Sequence, residues 1–326
     1  MTPFLARSVL MAATALLAIT CLASPAPAQQ KASLVFSAGP TGGTWTPMAA
    51  ATADVIKRKF PELDVQVEPG AALVNMEKIR NDKADLGWSM TTVLADARAG
   101  TNTWQGKQTD KPLYVASFYP NVWQLIVPVD SDVRKLADLK GKAVALPPRG
   151  NTSLAEGWEL LLKASGMKLD DLGTKSFGSI SDNGELIKNR QAVAMGWFTV
   201  VPASYVLDVG SSRKLRMVPV PEDIIAKMRQ FNPGFVRHVI PKATYAAYGI
   251  DEDVVTIQAP TILIASSKTP PDVIYKVTKA IIEGRESFGN VTAAMKGVTA
   301  KDMAQNFGMP YHPGAEKYYK EAGLLK

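Results

Sequence analysis

The pattern of strand and helix signals most limits the folds open to this chain, because it alternates and then begins again. Three apolar, β-prone stretches each precede a helical pattern: 33–37 before 46–60, 63–69 before 72–81, and 84–90 before 91–100. A second run of the same alternation starts at 142–148 and ends near residue 221. Strands separated by helices form parallel sheets. The sequence therefore predicts an α/β protein with two lobes.

Two strand-like stretches lie outside this alternation. The stretch 113–128 is long enough for two strands or for one strand that crosses between the lobes, and 256–266 is the last strand pattern. The helical pattern at 270–288 is assigned to the first lobe, since the lobes would otherwise be very unequal. We predict lobe one at 29–122 plus 257–326, and lobe two at 123–256.

The first 28 residues, 1–28, have the pattern of a secretory signal peptide. A basic start is followed by the apolar run 8–24 and by Ala26-Pro27-Ala28, a small-x-small cleavage site. Cleavage after Ala28 leaves Gln29 as the first mature residue. A retained signal anchor and a lipoprotein modified at Cys21 are weaker alternatives, and the longest later apolar stretch, 192–207, is too short to span a membrane. The sequence predicts a soluble, exported protein.

Cysteine content and charge exclude several classes of function. Cys21 is the only cysteine and would be removed with the signal, which excludes disulfides, thiol catalysis and cysteine metal sites from the mature chain. The net charge is +7, but the basic residues are dispersed, and KRK at 57–59 is their only run. This distribution disfavours nucleic-acid binding, while a mild positive field favours small anionic ligands.

Open parallel sheets bind ligands beyond the carboxyl ends of their strands. Five loops follow such ends in this sequence: 39–45, 68–75, 90–92, 147–153 and 196–202. The first, GPTGGTW, is a glycine-rich strand-to-helix turn whose free N–H groups suit an anion, although a plain tight turn explains it equally well. Arg149 is the only arginine in the five loops, and it either grips a carboxylate with two hydrogen bonds or lies on the solvent rim.

An enzyme is the weaker hypothesis. His238 and His312 are far apart in sequence, and neither belongs to a metal-binding or nucleophile motif. Both are predicted to be structural, as are Trp88, Trp123 and Trp158 in the core. The sequence therefore predicts no catalytic residues, no metal site and no cofactor.

Four segments resemble the TAXI receptors, the periplasmic solute-binding proteins of one branch of TRAP transporters. The first is the pair GPTGGTW (39–45) and ADLGWSMTTV (84–93), taken together, and the other three are DLKGKAVALPPRGNTS (138–153), IPKATYAAYGIDEDVVTIQAPTILIAS (240–266) and PYHPGAEKYYKEAGL (310–324). The resemblance covers nearly the whole mature chain. It implies a type II periplasmic binding protein fold, with two lobes joined by a hinge that close on a small solute, typically a dicarboxylate or an amino acid, for delivery to a TRAP membrane permease.

The resemblance also implies the ligand-binding residues of each lobe. Those of lobe one are Thr41, Gly42, Gly43, Thr44, Trp45, Asn75, Thr91 and Thr92. Those of lobe two are Gly150, Asn151, Thr152 and Ser153, to which the loop argument adds Arg149, Trp197 and Phe198. The chain departs from the family at 190–196, where it lacks an Asp, and Trp197 and Phe198 follow. This departure predicts a solute that is more apolar or more anionic than usual.

A sensor subunit that signals to a membrane kinase remains an alternative to a transport receptor. The two lobes would have the same sequence features in a sensor subunit as in a transport receptor. The neighbouring gene would separate them, because a multi-spanning permease supports transport and a kinase supports sensing.

Overall fold

The computed structural model describes residues 32–39, 44–149 and 152–325. The strands in these ranges are β1 (Ala32–Ser37), β2 (Leu63–Glu68), β3 (Leu86–Met90), β4 (Pro112–Pro128), β5 (Val144–Leu146), β6 (Lys175–Phe177), β7 (Ala194–Thr199), β8 (Leu215–Val218), β9 (Val236–Ile240) and β10 (Val254–Ser266). The α-helices are α1 (Trp45–Lys59), α2 (Ala72–Arg80), α3 (Thr91–Ala99), α4 (Thr152–Ala164), α5 (Ile180–Lys188), α6 (Ser204–Ser212), α7 (Glu222–Phe231), α8 (Pro271–Glu283), α9 (Ala300–Ala304) and α10 (Pro313–Glu321).

The described strands form one hydrogen-bonded sheet in the order β2-β1-β3-β10-β4-β7-β5-β6, with β8 also beside β4 and β9 also beside β10. One parallel section contains β1, β2 and β3, and the other contains β5, β6 and β7. The long strands β4 and β10 run antiparallel to each other between these sections. Their pairing extends from Gln258 opposite Val122 to Ser266 opposite Pro112. The two parallel sections are therefore two lobes joined by β4 and β10.

Each lobe has an apolar core on both faces of its part of the sheet. In lobe one, β1 packs on α1, α8 and α10 through residues such as Phe36, while α2 and α3 cover the other face. In lobe two, α4 and α7 cover one face and α5 and α6 the other. Trp88, Trp123 and Trp158 are buried, which confirms their predicted core role. Such alternation of buried residues on two faces is what sheet geometry requires.

The observed elements correct some predicted boundaries. The stretch 113–128 forms a single strand, and the helix predicted at 270–288 ends at Glu283 before a short 3₁₀ helix. Ser179 caps α5, and its side chain accepts the Asp182 N–H. The patterns did not identify α7, β9, α9 or α10. No helix in the described ranges combines the length and apolar character that crossing a membrane requires.

Candidate functional site between the lobes

The first turn of α3 in lobe one contacts the loop that precedes β9 in lobe two. The Thr91 hydroxyl donates to the carbonyl oxygen of Gly234 at 2.7 Å, and the Asn232 side chain donates to the Thr92 carbonyl oxygen at 3.0 Å. A Cβ on Gly234 would lie 2.5 Å from backbone atoms of both Thr91 and Thr92. Because a real Cβ cannot approach so closely, glycine is what allows the two backbones to meet here.

A small cavity lies beside this contact and is lined by both lobes. Its volume is about 20 Å³, and its lining residues are Met90, Thr92, Ser153, Leu154, Glu156, Gly157, Leu160, Phe198, Asn232, Phe235 and Ala259. One water molecule requires about 10–15 Å³ of such space. The cavity is therefore no larger than about one water molecule, and the lobes are closed at this point.

Three residues that the sequence predicted for the site meet at this cavity. Thr92 comes from lobe one, and Ser153 and Phe198 come from lobe two. Phe198 is stacked on Phe235 with ring centroids 5.8 Å apart. Thr91 is buried next to them and uses its hydroxyl in the Gly234 bond. Thr152 is the first residue of α4, whose amino-terminal turn borders the cavity.

Glu156 is a charged lining residue that the sequence analysis did not single out. Burial, with the nearby carboxylates of Asp96 and Glu159, raises the pKa of Glu156 to about 7. Asp96 lies one turn after Thr92 on α3, and burial raises its pKa although Thr101 and Asn102 donate hydrogen bonds to it. Two acidic side chains from opposite lobes therefore lie close together beside the cavity.

Trp45 and Thr44 lie at the start of α1. The Trp45 carbonyl oxygen accepts a hydrogen bond from the Trp88 indole at 3.0 Å. The side chain of Trp45 hydrogen-bonds the hydroxyl of Tyr119 on β4. Burial raises the pKa of Tyr119. Thr44 is exposed and makes no side-chain capping bond, so its hydroxyl is not required to start the helix.

Asn75 is fully buried inside lobe one. Its side-chain oxygen accepts from the Ser37 hydroxyl at 2.8 Å and from the Ala71 N–H at 3.1 Å. Its amide nitrogen donates to the carbonyl oxygens of Ala38 and Trp88, both at 2.7 Å. These four bonds use the full hydrogen-bonding capacity of the side chain. In this conformation Asn75 supports the loops of lobe one from behind.

Two further predicted residues lie elsewhere in lobe two. Arg149 is exposed, and its guanidinium carbon lies 4.2 Å from the ring centroid of Phe177, above a groove of about 240 Å³. Trp197 points to the side of β7 opposite Phe198 and is buried in the same cluster as Leu154. Its indole N–H has no hydrogen-bond partner in the described part of the chain.

Several sequence predictions fall outside the described residues. They are the signal peptide at 1–28 and the site residues Thr41, Gly42, Gly43, Gly150 and Asn151. At the cavity between the lobes, the predicted residues Thr92, Ser153 and Phe198 lie together with Glu156 and Asn232, beside the Thr91–Gly234 contact.

The histidines are placed away from this cavity. His312 is buried at the amino terminus of α10, where its Nδ1 accepts the Gly314 N–H at 3.2 Å and its Nε2 lies 3.1 Å from the Thr269 carbonyl oxygen. Burial lowers the pKa of His312 and of His238 on β9. Across the described ranges, no three His, Cys, Asp or Glu side chains are grouped as a metal ion would require.

Comparison with known families identifies the chain at the family level. The model of the NMT1-like family matches residues 36–323. The chain belongs to the NMT1-like family. This match covers both lobes and the strands that join them.

Solved structures with the same fold are distant in sequence from this NMT1-like protein. PhnD1 from Prochlorococcus marinus in complex with methylphosphonate is 10% identical, with a TM-score of 0.53 over 90% of this chain and 99% of that chain. A Xanthomonas citri protein bound to ATP is 12% identical, with a TM-score of 0.50 over 90% and 96% of the two chains. At these identities the likeness establishes the fold alone, which is that of a type II periplasmic binding protein.

Proposed function

We propose that this protein is a periplasmic solute-binding receptor that captures a small solute between its lobes and delivers it to a membrane permease. The observation that carries the proposal is the cavity lined by Thr92 from one lobe and by Ser153 and Phe198 from the other. Ligands of such two-lobed α/β proteins bind where the carboxyl ends of the strands meet. A space of about 20 Å³ admits no solute, so binding requires the lobes to open and close again.

The proposed solute is a small anion, either a dicarboxylate or an amino acid. Within the described residues the indole N–H of Trp197 has no hydrogen-bond partner, which supports this choice, because the group can only donate and an oxygen of the solute would satisfy it. Trp197 shares its cluster with Leu154 in the first turn of α4, and the positive end of a helix dipole also favours an anion. The methylphosphonate in PhnD1 of Prochlorococcus marinus is a small anion held by the same fold.

The proposed contacts combine both lobes. Thr44, Trp45 and Thr92 would meet the solute with Thr41, Gly42 and Gly43, and Ser153, Trp197 and Phe198 would meet it with Arg149, Gly150, Asn151 and Thr152. Asn75 and Thr91 would hold the loops in place, since their polar atoms already have partners within the protein.

The proposed partner is a TRAP-type permease. The resemblance to TAXI receptors at GPTGGTW (39–45) and PYHPGAEKYYKEAGL (310–324) supports this choice. The second segment forms α10 and its buried cap, His312, so it is a structural part of lobe one. A permease that accepts the solute only with this receptor present, in a reconstituted transport assay, would support the pairing, and transport independent of the receptor would contradict it.

The receptor function is tested by a thermal-shift screen of carboxylates and amino acids, followed by X-ray scattering with each solute that binds. A ligand that binds only the folded protein raises its melting temperature, and lobe closure lowers the radius of gyration. A solute that binds without compaction would contradict closure. Failure of all carboxylates and amino acids to bind would contradict the proposed solute class.

A further inference from the structure

Two carboxyl groups approach each other across the contact between the lobes. Glu156 is on α4 of lobe two and lines the cavity together with Thr92 and Asn232. Asp96 follows Thr92 by one turn of α3 in lobe one, and its carboxylate also interacts with the Asn232 side chain. The same asparagine thus borders both acids, which brings them together only when the lobes are in contact.

No positive charge balances this pair. The titratable groups that act on Glu156 are Asp96 from α3 and Glu159 from its own helix, and both are acidic. The groups that contact Asp96 are the neutral side chains of Thr101, Asn102 and Asn232. Within residues 32–39, 44–149 and 152–325, neither Glu156 nor Asp96 forms an ion pair. The loop residues outside these ranges, 40–43 and 150–151, include no basic residue.

We propose that closing of the two lobes is coupled to the uptake of one proton by the Glu156–Asp96 pair, so that lower pH favours the closed form. When the lobes separate, Glu156 regains solvent and loses its acidic neighbour from lobe one. The pKa of Glu156 then returns to the ordinary value of a glutamate side chain. When the lobes close, two neighbouring carboxylates in a partly buried site cannot both remain ionised without a cost, and a shared proton removes that cost.

The sign of the effect follows from proton linkage. The pKa of Glu156 is about 7 in the closed structure against 4.5 for the free side chain. The closed form therefore binds more protons than the open form between these values, and closure weakens as pH rises through this window. Above it, the ratio of closed to open protein should fall no further, because the carboxyl is ionised in both forms. Within it, the ratio can fall by up to about tenfold per pH unit.

The inference rests on the proposed lobe closure, but its test needs no solute. The radius of gyration of the solute-free protein is measured by X-ray scattering from about pH 5 to about pH 8 for the wild type, Glu156→Gln and Glu159→Gln. The wild type should expand as pH rises, while Glu156→Gln should keep one value throughout. Glu159→Gln is the matched control, since it removes an acidic residue of the same helix that lies outside the cavity. It should still expand as pH rises, with its midpoint moved to lower pH by less than in Asp96→Asn, because the Glu159 carboxylate raises the pKa of Glu156 less than the Asp96 carboxylate does.

A second variant tests whether Asp96 is the acidic neighbour that acts on Glu156. Asp96→Asn keeps an oxygen that can accept the Thr101 and Asn102 bonds but removes the charge. Its midpoint should therefore move to lower pH than that of the wild type. Identical pH profiles for the wild type and Glu156→Gln would overturn the inference, as would an unchanged midpoint in Asp96→Asn. A solute screen that finds no ligand bears on the proposed function alone and leaves this result in force.

Discussion

Two buried asparagines show how differently the inside of a lobe and the contact between lobes are built. Asn75 makes four hydrogen bonds within lobe one, to Ser37, Ala71, Ala38 and Trp88. Asn232 reaches across the lobes to the Thr92 carbonyl oxygen and the Asp96 carboxylate, and it accepts the N–H of its near neighbour Gly234. The first asparagine joins segments of a single lobe. The second joins surfaces that would part if a solute enters as proposed.

The difference has an energetic consequence. A hydrogen bond contributes about 1 kcal/mol net to stability, so the two inter-lobe bonds of Thr91 and Asn232 oppose opening by only about 2 kcal/mol. The lobe cores, in contrast, bury whole aromatic side chains such as Trp88 and Trp158. If the lobes open and close as proposed, the binding energy of a small solute would be sufficient to shift that balance without unfolding either lobe.

The largest expected effect is on the polar network of lobe one. Asn75→Ala leaves the carbonyl oxygens of Ala38 and Trp88 buried without their partner, and should lower the free energy of unfolding by about 3–5 kcal/mol. Urea denaturation measures this loss. Asn81→Ala is the control, because Asn81 ends the same helix but is exposed, and it should cost less than about 1 kcal/mol. Equal losses in the two variants would mean that the network contributes little.

The second effect is confined to the contact between lobes. A Cβ at Gly234 would collide with the Thr91–Thr92 backbone. Gly234→Ala should therefore force the lobes apart and raise the radius of gyration. It should also weaken solute binding by about tenfold or more, which corresponds to about 1.4 kcal/mol. Gly184→Ala is the control, since a Cβ there finds ordinary contact at 3.4 Å within lobe two. A Gly234→Ala protein as compact as the wild type would show that the contact accommodates the extra carbon.

The smallest effect concerns a side chain outside both networks. Thr44 is exposed and makes no capping bond, so Thr44→Val should leave the melting temperature within about 2 °C. If its hydroxyl contacts the solute, calorimetry should show binding weakened by roughly tenfold. A variant that melts early but binds normally would instead assign Thr44 a structural role.

The sequence predicted those parts of the fold that depend on local pattern. The strand-helix alternation from β1 to α3 follows from apolar spacing, and the observed bounds differ by a few residues. The antiparallel pairing of β4 with β10 could not be predicted in this way, because Val122 and Gln258 meet only in the folded chain. The cap of α5 could not be chosen from the sequence either, because Ser181, two residues after the actual cap Ser179, offers the same chemistry.

The candidate site was harder to predict from the sequence than the fold. Whether a polar residue binds a ligand or bonds within the protein depends on its burial, which only the folded structure shows. Asn75 follows a strand as a ligand residue would, yet its polar atoms are occupied by the protein itself. Glu156 looks like any helix-surface acid until Asp96, sixty positions earlier, is placed beside it by the fold. Gly234 lies in a turn-like NPG segment. Only the folded structure shows that the Thr91 backbone leaves no room for a side chain at this position.

The core of lobe one combines early and late segments of the sequence, so it is completed late in synthesis. Leu34 near its start packs in one cluster with Ile281 and Tyr319 near its end, and the Tyr319 hydroxyl donates to the Val115 carbonyl oxygen. Lobe two, in contrast, draws its helices from one uninterrupted stretch of chain. During synthesis lobe two has all its helices while lobe one still lacks α8 and α10. The apolar faces of β1 and α1 therefore remain partly uncovered until α8 and α10 have been synthesised.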